Sequence, residues 1–361
     1  MRPFEHGGNV YSAGVCRPEL YDFSANINPL GISDKVKNTI IKHVDNLVHY
    51  PDPSGLQLKQ VISVHYKTNM KNIVLGNGAV ELLYVYFHSR RPKRVLIPVP
   101  SFSEYERGAR AAGCEVEYQY LDKADDFALN KTRLMEKIPE VDAVVLGNPN
   151  NPTGSLISRG DFEEILEKSA QSDTDLIIDE SFLDFLTDEE NYTLIDVADK
   201  YSNLLIIRSM TKFFAVPGLR LGFCVAGEHL VNMLEAGKDQ WNVNLLAQYA
   251  GVAALKDVDY QEKTRMLIQK YKKALYERLS AFEELDVYSP TVNFIMFSVE
   301  KTGLSSSQFV ELLARQNILV RDCSNYPGLD DFHIRTAVRT EHENSLLVDA
   351  IREVLLKCRN R

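Results

Sequence analysis

The chain has 361 residues and a mass of 41.0 kDa, and 45% of its residues are hydrophobic and 25% charged. This size and balance predict a globular protein with a large core and two domains. Its 41 basic and 50 acidic residues give a formal charge of −9. That charge argues against a protein that mainly binds nucleic acid or an anionic membrane surface.

Cysteine usage and hydropathy predict a cytoplasmic protein. The five cysteines are scattered and form no CxxC pair, as is typical of thiols in a reducing compartment. The sequence has no apolar run of about 18 residues, the length that a membrane helix needs. The first residues also lack the apolar core of a signal peptide.

Short apolar runs alternate with helix-period segments through the first two thirds of the chain. Strands are predicted at 72–76, 94–98, 115–121, 143–147, 176–179, 204–209 and 221–226, and helices at 79–88, 102–112 and 161–170. Ser158 and Asp161 resemble a capping box that opens the third of these helices. The alternation predicts an α/β fold with a mostly parallel, seven-stranded sheet covered by helices on both faces.

The pattern changes beyond about residue 227. A long helix is predicted at 261–282, strands near 293–299, 318–321 and 333–338, and a terminal helix at 343–357. We therefore expect a large domain over 40–260 and a smaller α+β domain formed by 1–39 and 261–361. A cleft between two such domains is a common place for a ligand.

Three polar motifs follow predicted strands. The first, Asn148-Pro149-Asn150-Asn151-Pro152-Thr153-Gly154, follows strand 143–147. Its position at the carboxyl end of a parallel strand suits a ligand, although its residues are equally consistent with a plain turn. The second motif begins with Asp179 after an apolar strand, where a bare carboxylate is costly and needs a cation such as a protonated pyridine nitrogen. An acid that caps the following segment is the alternative.

The third motif contains Lys212, which follows the apolar strand 204–209 and precedes another apolar segment. Apolar surroundings lower the pKa of a lysine and make it a competent nucleophile toward an aldehyde. A lone lysine here would be read as a surface residue. Ser209 three residues before it and Arg220 eight residues after it argue against that interpretation.

The ordered set Asn-Pro-Thr-Gly, Asp-Glu-x-aromatic, Ser-x-x-Lys and a later Arg resembles the class I/II aminotransferase family of fold-type I pyridoxal-phosphate enzymes. The resemblance covers nearly the whole chain and implies the aspartate-aminotransferase fold. It implies that Lys212 carries the cofactor as a Schiff base, that Asp179 pairs with the pyridine nitrogen and that Asn151 bonds the phenolic oxygen. Further implied cofactor ligands are Phe102 on the ring and Gly78, Ala79, Val80, Ser209 and Arg220 at the phosphate. The resemblance also implies that Tyr50 reaches the phosphate of the neighbouring subunit in a homodimer with shared active sites.

The phosphate assignment has its own physical logic, because the turn Gly76-Asn77-Gly78 opens a helix whose N-terminus favours an anion. The two glycines do not form a dinucleotide fingerprint, since Glu81 occupies the third glycine position. The sequence contains no HExxH motif, CxxC pair or serine-centred elbow, so we expect no metal. The family commonly carries tyrosine where this chain has Phe182. The resemblance therefore implies that the tyrosine hydroxyl that normally bonds the cofactor's ring oxygen is absent here.

Two subfamilies resemble the chain: threonine-phosphate decarboxylases of cobalamin synthesis and histidinol-phosphate aminotransferases. The segments 6–9, 22–31 and 321–329 and Phe182 look more like the decarboxylases. This resemblance implies decarboxylation of L-threonine O-3-phosphate to (R)-1-aminopropan-2-yl phosphate. The alternatives are a histidinol-phosphate aminotransferase that uses 2-oxoglutarate and, from another class, a ligand-binding relative without catalytic activity.

The predicted substrate is a small phosphorylated amino acid or amino alcohol. Phosphothreonine has two anionic groups whereas histidinol phosphate has one, so the decarboxylase needs two anion sites, for which arginine is well suited. The candidate substrate ligands are His6, Gly7, Asn28, Asn151, Arg321, Arg335 and Arg339. A surface salt bridge for Arg339 and an ordinary terminal position for His6 are the alternatives. Phosphoserine is not separated from phosphothreonine, because one methyl group is worth only about 1–3 kcal/mol.

Overall fold

A seven-stranded sheet forms the centre of the fold in the computed structural model, which describes residues 7–8 and 20–359. The strands of all three sheets of the described chain are, in chain order, β1 (Tyr21–Asp22), β2 (Ile73–Gly76), β3 (Arg94–Val99), β4 (Glu115–Tyr120), β5 (Ala143–Gly147), β6 (Asp175–Asp179), β7 (Leu204–Ser209), β8 (Gly222–Ala226), β9 (Asp286–Val287), β10 (Phe294–Ser298), β11 (Ile318–Leu319), β12 (Arg321–Asp322) and β13 (His333–Ala337). The helices are α1 (Asp34–His43), α2 (Leu56–His65), α3 (Ala79–Arg90), α4 (Glu104–Ala111), α5 (Lys131–Lys137), α6 (Arg159–Gln171), α7 (Glu228–Gly237), α8 (Leu245–Leu255), α9 (Val258–Ser280), α10 (Ser306–Ala314) and α11 (Glu341–Arg359).

The central sheet has the strand order β2-β8-β7-β6-β5-β3-β4. Strand β8 runs antiparallel to both of its neighbours, and the other pairs are parallel. The predicted α/β fold with a mostly parallel seven-stranded sheet is confirmed. Strands β5 and β7 have the predicted bounds, and each of the other five central strands differs from prediction by one residue at one end.

Both faces of the sheet are buried except at the edge strand β4, which explains why the inner strands are mostly apolar. Ile177 belongs to the core that α3, α4 and α7 complete, whereas its neighbour Ile178 belongs to the core completed by α2, α6 and α8. Successive side chains of a strand point to opposite faces, so one strand serves both cores. Because helices cover its faces, the sheet can present residues to a ligand at the carboxyl ends of its strands.

The last third of the chain forms a four-stranded antiparallel sheet in the order β12-β13-β10-β9. The predicted strand 318–321 is wrong as a single element: β11 pairs with β1, whereas β12 pairs with β13. The chain leaves one sheet and enters the other at Val320, so the apolar run serves two pairings. The N-terminal segment thus joins the C-terminal part through β1, as expected, and the domain boundaries stay a prediction.

Ser158 caps α6, but the capping box predicted with Asp161 is not formed. The Ser158 side chain accepts a hydrogen bond from the Asp161 amide at 3.2 Å and donates one to the Asp161 carboxylate at 2.7 Å. In a capping box the acidic side chain would instead accept from the Ser158 amide. Among the residues that the model describes, no helix is both long and apolar enough to cross a membrane.

Candidate active site

The carboxyl ends of β5, β6 and β7 lie side by side and place the three predicted motifs together. The register pairs Gly147 of β5 with Asp179 of β6, and Asp179 with Ile207 of β7. The Asn151 loop follows β5, and Lys212 follows β7 by three residues. One cavity is lined by Phe102, Tyr105, Pro149, Asn151, Asp179, Ser181, Phe182 and Lys212. The structure therefore brings together the lysine and the aspartate on which the sequence argument depended.

Lys212 is half-buried beside a hydroxyl and an aromatic ring. Its Nζ donates a hydrogen bond to Ser209 Oγ at 3.1 Å and lies 5.8 Å from the centre of the Phe182 ring. Burial lowers the pKa of Lys212 to about 8, an effect that Arg220 increases and Asp179 opposes. An amine with this pKa is partly neutral near pH 8 and can act as a nucleophile.

Asp179 accepts hydrogen bonds on both carboxylate oxygens. Tyr105 Oη donates to Oδ2 at 2.8 Å, and the backbone and side chain of Ser181 donate to Oδ1. Sequence reasoning missed Tyr105 and Ser181. A local signal existed for Ser181, because an aspartate often accepts from the residue two positions later, but none existed for Tyr105.

Glycines allow an unusually close approach of the backbone to Arg220. A Cβ atom at Gly78 would lie 2.4 Å from the Arg220 guanidinium, and one at Gly222 would lie 2.5 Å from the Ala79 amide nitrogen. Gly78 also has a φ of +88°, which favours glycine. The exposed guanidinium therefore lies against the first turn of α3, where Ala79 and Val80 begin the helix. A cation at a helix N-terminus fits a phosphate group.

A larger cavity of about 480 Å³ extends from Lys212 to Arg335. It is lined by Gly7, Gly8, Asp22, Ser24, Ala25, Asn26, Ile27, Phe102, Asn151, Phe182, Lys212, Pro217, Tyr326 and Arg335. Arg335 donates hydrogen bonds to Asn151 Oδ1 and, at 2.8 Å, to the Ser24 carbonyl. Its buried Nε has no hydrogen-bond partner among the described residues. The guanidinium of Arg335 lines the cavity, and a guanidinium is well suited to bind a carboxylate ligand.

Asn28, a predicted substrate ligand, is buried, and its amide bonds to neighbouring segments of the fold. It is 2% exposed, donates to the Phe213 carbonyl and to Thr264 Oγ1 at 2.8 Å each, and accepts from the Leu30 amide at 3.0 Å. These bonds fix the N-terminal segment against α9, and Asn28 is not among the residues that line the cavity. The structure thus shows a supporting role for Asn28 in the fold, and its contact with substrate stays a prediction.

Two of the three predicted substrate arginines lie outside the cavity lining. Arg339 forms an ion pair with Glu343, with nitrogen-to-oxygen distances of 2.6 and 2.9 Å, which is the alternative that its sequence context left open. Arg321 donates to Asn325 Oδ1 at 2.8 Å and lies 5.2 Å from the centre of the Tyr326 ring. Tyr326 lines the cavity, so Arg321 contacts a cavity residue.

The three remaining predicted ligands are Gly7, Tyr50 and His6. Gly7 lines the larger cavity, and a Cβ atom there would lie 2.1 Å from the Ser24 carbonyl oxygen. Tyr50 is 77% exposed and its ring stacks on that of Trp241 with centroids 4.6 Å apart. His6 lies outside the described residues.

Comparisons with known proteins agree with this geometry. A model of the family "Aminotransferase class I and II" matches residues 18–351. A protein of Caldanaerobacter subterraneus, named provisionally as a threonine-phosphate decarboxylase, is 37% identical over 98% of this chain and 94% of its own length. The threonine-phosphate decarboxylase of Salmonella typhimurium is 35% identical over 97% of this chain and 96% of its own.

A solved structure supports the same fold. The histidinol-phosphate aminotransferase of Clostridium acetobutylicum superposes with a TM-score of 0.88 and 35% identity, covering 94% of this chain and 100% of its own. Relatives named for each of the two subfamilies are therefore found at similar sequence identities, 35% or 37%. The family match, which spans nearly the whole chain, places this protein in the class I and II aminotransferase family.

Proposed function

We propose that this protein is a pyridoxal-phosphate-dependent lyase that decarboxylates L-threonine O-3-phosphate to (R)-1-aminopropan-2-yl phosphate in cobalamin biosynthesis. One observation carries the proposal: a single cavity joins Lys212, whose pKa is lowered, to the guanidinium of Arg335. Similarity over nearly the full length to two relatives named for this activity supports the choice of substrate.

The side chains present fit pyridoxal phosphate, which when bound supplies an electron sink for negative charge at the substrate's α carbon. Lys212 would hold its aldehyde carbon, and Asp179 would face its ring nitrogen. The remaining ligands in this proposal are Phe102 and Asn151 at the ring and Gly78, Ala79, Val80, Ser209 and Arg220 at the phosphate. The bond from Arg335 to Asn151 Oδ1 orients that amide, so that its NH2 group is the one left to donate.

The protein's own residues would supply binding and proton transfer. Arg335 and Asn151 hold the substrate carboxylate, and Arg321, which lies opposite Arg335 in the register of β12 and β13, adds positive charge. Lys212 Nζ would return a proton to the α carbon, because a pKa of about 8 lets the amine both gain and lose a proton near neutral pH. The ring of Phe182, with its centre 5.8 Å from the amine, gives Lys212 an apolar neighbour.

The test is a product assay with O-phosphothreonine, O-phosphoserine and histidinol phosphate side by side, using protein loaded with pyridoxal phosphate. We expect carbon dioxide from phosphothreonine without any keto acid, and no release by Lys212→Ala. Phosphoserine should be slower by about 10- to 200-fold, the value of one methyl group. Conversion of histidinol phosphate only when 2-oxoglutarate is supplied would instead make the protein an aminotransferase. A protein that takes up no cofactor would be a ligand-binding relative.

We also propose a homodimer with shared active sites. Large apolar side chains are exposed on α1, α2 and the turn between them: Ile41, Val44, Leu47, Val48, Tyr50 and Leu56. A group of exposed apolar residues on adjacent elements is typical of a protein interface. Tyr50 lies in this group, as a residue that reaches a neighbouring subunit should.

A cytoplasmic location is proposed from the four described cysteines, all of which are free.

A further inference from the structure

We infer that Tyr105, in space left by the absent side chain of Gly147, is a positioning residue that controls where the proton between Asp179 and the cofactor's ring nitrogen resides. The inference rests on the pyridoxal phosphate of the proposed function. Neither Tyr105 nor Gly147 belongs to the motifs that carry the family resemblance.

Tyr105 lies in the first turn of α4 and is 3% exposed. Its Oη donates to Asp179 Oδ2 at 2.8 Å, on the oxygen that Ser181 does not reach. Burial and the neighbouring Asp179 carboxylate raise the pKa of Tyr105 well above its ordinary value. The phenol therefore keeps its proton at physiological pH, and in this bond it is always the donor.

The direction of the bond determines its effect. A donor to a carboxylate stabilises the charged form of that carboxylate. Because Tyr105 and Ser181 both donate to Asp179, the charged form of its carboxylate is stabilised. Asp179 therefore competes less strongly for a proton that it shares with a pyridine nitrogen. The proton then stays on the ring, where it strengthens the electron sink. Loss of the phenol should shift that proton toward Asp179.

Gly147 makes the contact possible. It ends β5 directly beside Asp179 in the parallel register. A Cβ atom at Gly147 would lie 3.0 Å from Tyr105 Oη and 3.4 Å from the Asn150 Cα atom. Gly147 does not have a positive φ, so the backbone does not require glycine there. The missing side chain is therefore the relevant feature, since a methyl group would press on the hydroxyl.

Strand β6, which ends at Asp179, offers a matched control at its other end. Tyr86 Oη donates to Oδ2 of Asp175, the first residue of β6, at 2.7 Å, and Tyr86 is 0% exposed. Tyr86→Phe thus removes a buried tyrosine-to-aspartate bond of the same kind, on the same strand, away from the site. Any general loss of stability should be similar in the two variants.

The experiment reconstitutes wild type, Tyr105→Phe and Tyr86→Phe with pyridoxal phosphate labelled with ¹⁵N in the ring, and records the nitrogen chemical shift against pH. We expect a protonated ring nitrogen in wild type and Tyr86→Phe, and a shift toward the unprotonated value in Tyr105→Phe. In the same variant kcat should fall roughly 10-fold with KM nearly unchanged, the effect of losing one bond to a charged group. Equal nitrogen shifts in wild type and Tyr105→Phe would overturn the inference. Wild type that binds no labelled cofactor would overturn the proposed function itself.

A second variant keeps the phenol and displaces it. Gly147→Ala should move the nitrogen shift in the same direction as Tyr105→Phe. In the double variant the crowded hydroxyl is absent, so the alanine should add nothing to the effect of Tyr105→Phe. A full additional effect in the double variant would mean that Gly147 acts through another contact and would remove it from the inference.

Discussion

At the scale of single residues, Lys212 is an amine whose environment disfavours its charge. The pKa of Lys212 falls from 10.5 to about 8, mainly through burial, and Ser209 Oγ is its only hydrogen-bond partner among the described side chains. The cost of holding this ammonium group without an ion-pair partner is borne by the folded protein. Such a cost is common at catalytic positions, where reactivity is gained and stability is lost.

We therefore expect Lys212→Met to stabilise the cofactor-free protein at pH 7. In the wild type, Lys212 of the unfolded chain binds a proton between pH 8 and 10.5 that the folded protein has lost. The free energy of unfolding of the wild type therefore rises with pH through this range. The gain should be about 1–2 kcal/mol below pH 8, after allowance for solvent in the cavity, and should vanish above pH 10.5. Urea unfolding of both proteins at pH 7 and at pH 10.5 measures it. Lys273→Met is the control, since that side chain is 79% exposed, and an equal gain there would contradict the argument.

At the scale of elements, a buried arginine ties the end of β7 to the segment after β6. Arg208 Nε lies 2.7 Å from the Glu180 carboxylate, and Nη1 lies 3.2 Å from Asp184 and 2.9 Å from Glu189. Burial raises the pKa of Glu180 to about 7. Arg208 precedes Ser209 and Glu180 follows Asp179, so this cluster fixes the ends of the two strands that carry the proposed cofactor ligands.

Arg208→Met should lower the free energy of unfolding by about 3–5 kcal/mol, because it leaves buried carboxylates without their cation. Arg352→Met provides the comparison. Arg352 pairs with Asp349 on α11, and both side chains are more than half exposed, so its loss should cost less than about 0.5 kcal/mol. Denaturant unfolding at pH 7 decides between them. Equal stabilities of the two variants would show that the Arg208 cluster contributes no more than a surface pair.

At the scale of the whole molecule, the proposed dimer has a direct test in mixed subunits. Lys212→Ala and Tyr50→Ala variants should each have little activity. If Tyr50 completes the site of the neighbouring subunit, unfolding and refolding them together yields hybrid dimers in which one site has both native residues. About a quarter of wild-type activity should then return. No recovery, in a sample that light scattering finds dimeric, would mean that each site is built from one chain.

The sequence by itself determined the fold class and the cofactor motifs. Continuous apolar runs and the turn residues after them are local signals, so strands such as β5 and β7 were predicted to the residue. The family resemblance implied that Lys212 and Asp179 share one site, and both side chains line the same cavity.

Only the tertiary structure decided how the other polar side chains are used. Tyr105 and Asp179 are 74 residues apart in sequence, and Asn28 and Thr264 are 236 apart. Whether an arginine faces a cavity, as Arg335 does, or a neighbouring carboxylate, as Arg339 does, depends on which elements pack around it. Such contacts follow from packing between distant segments, and no local pattern of residue types encodes them.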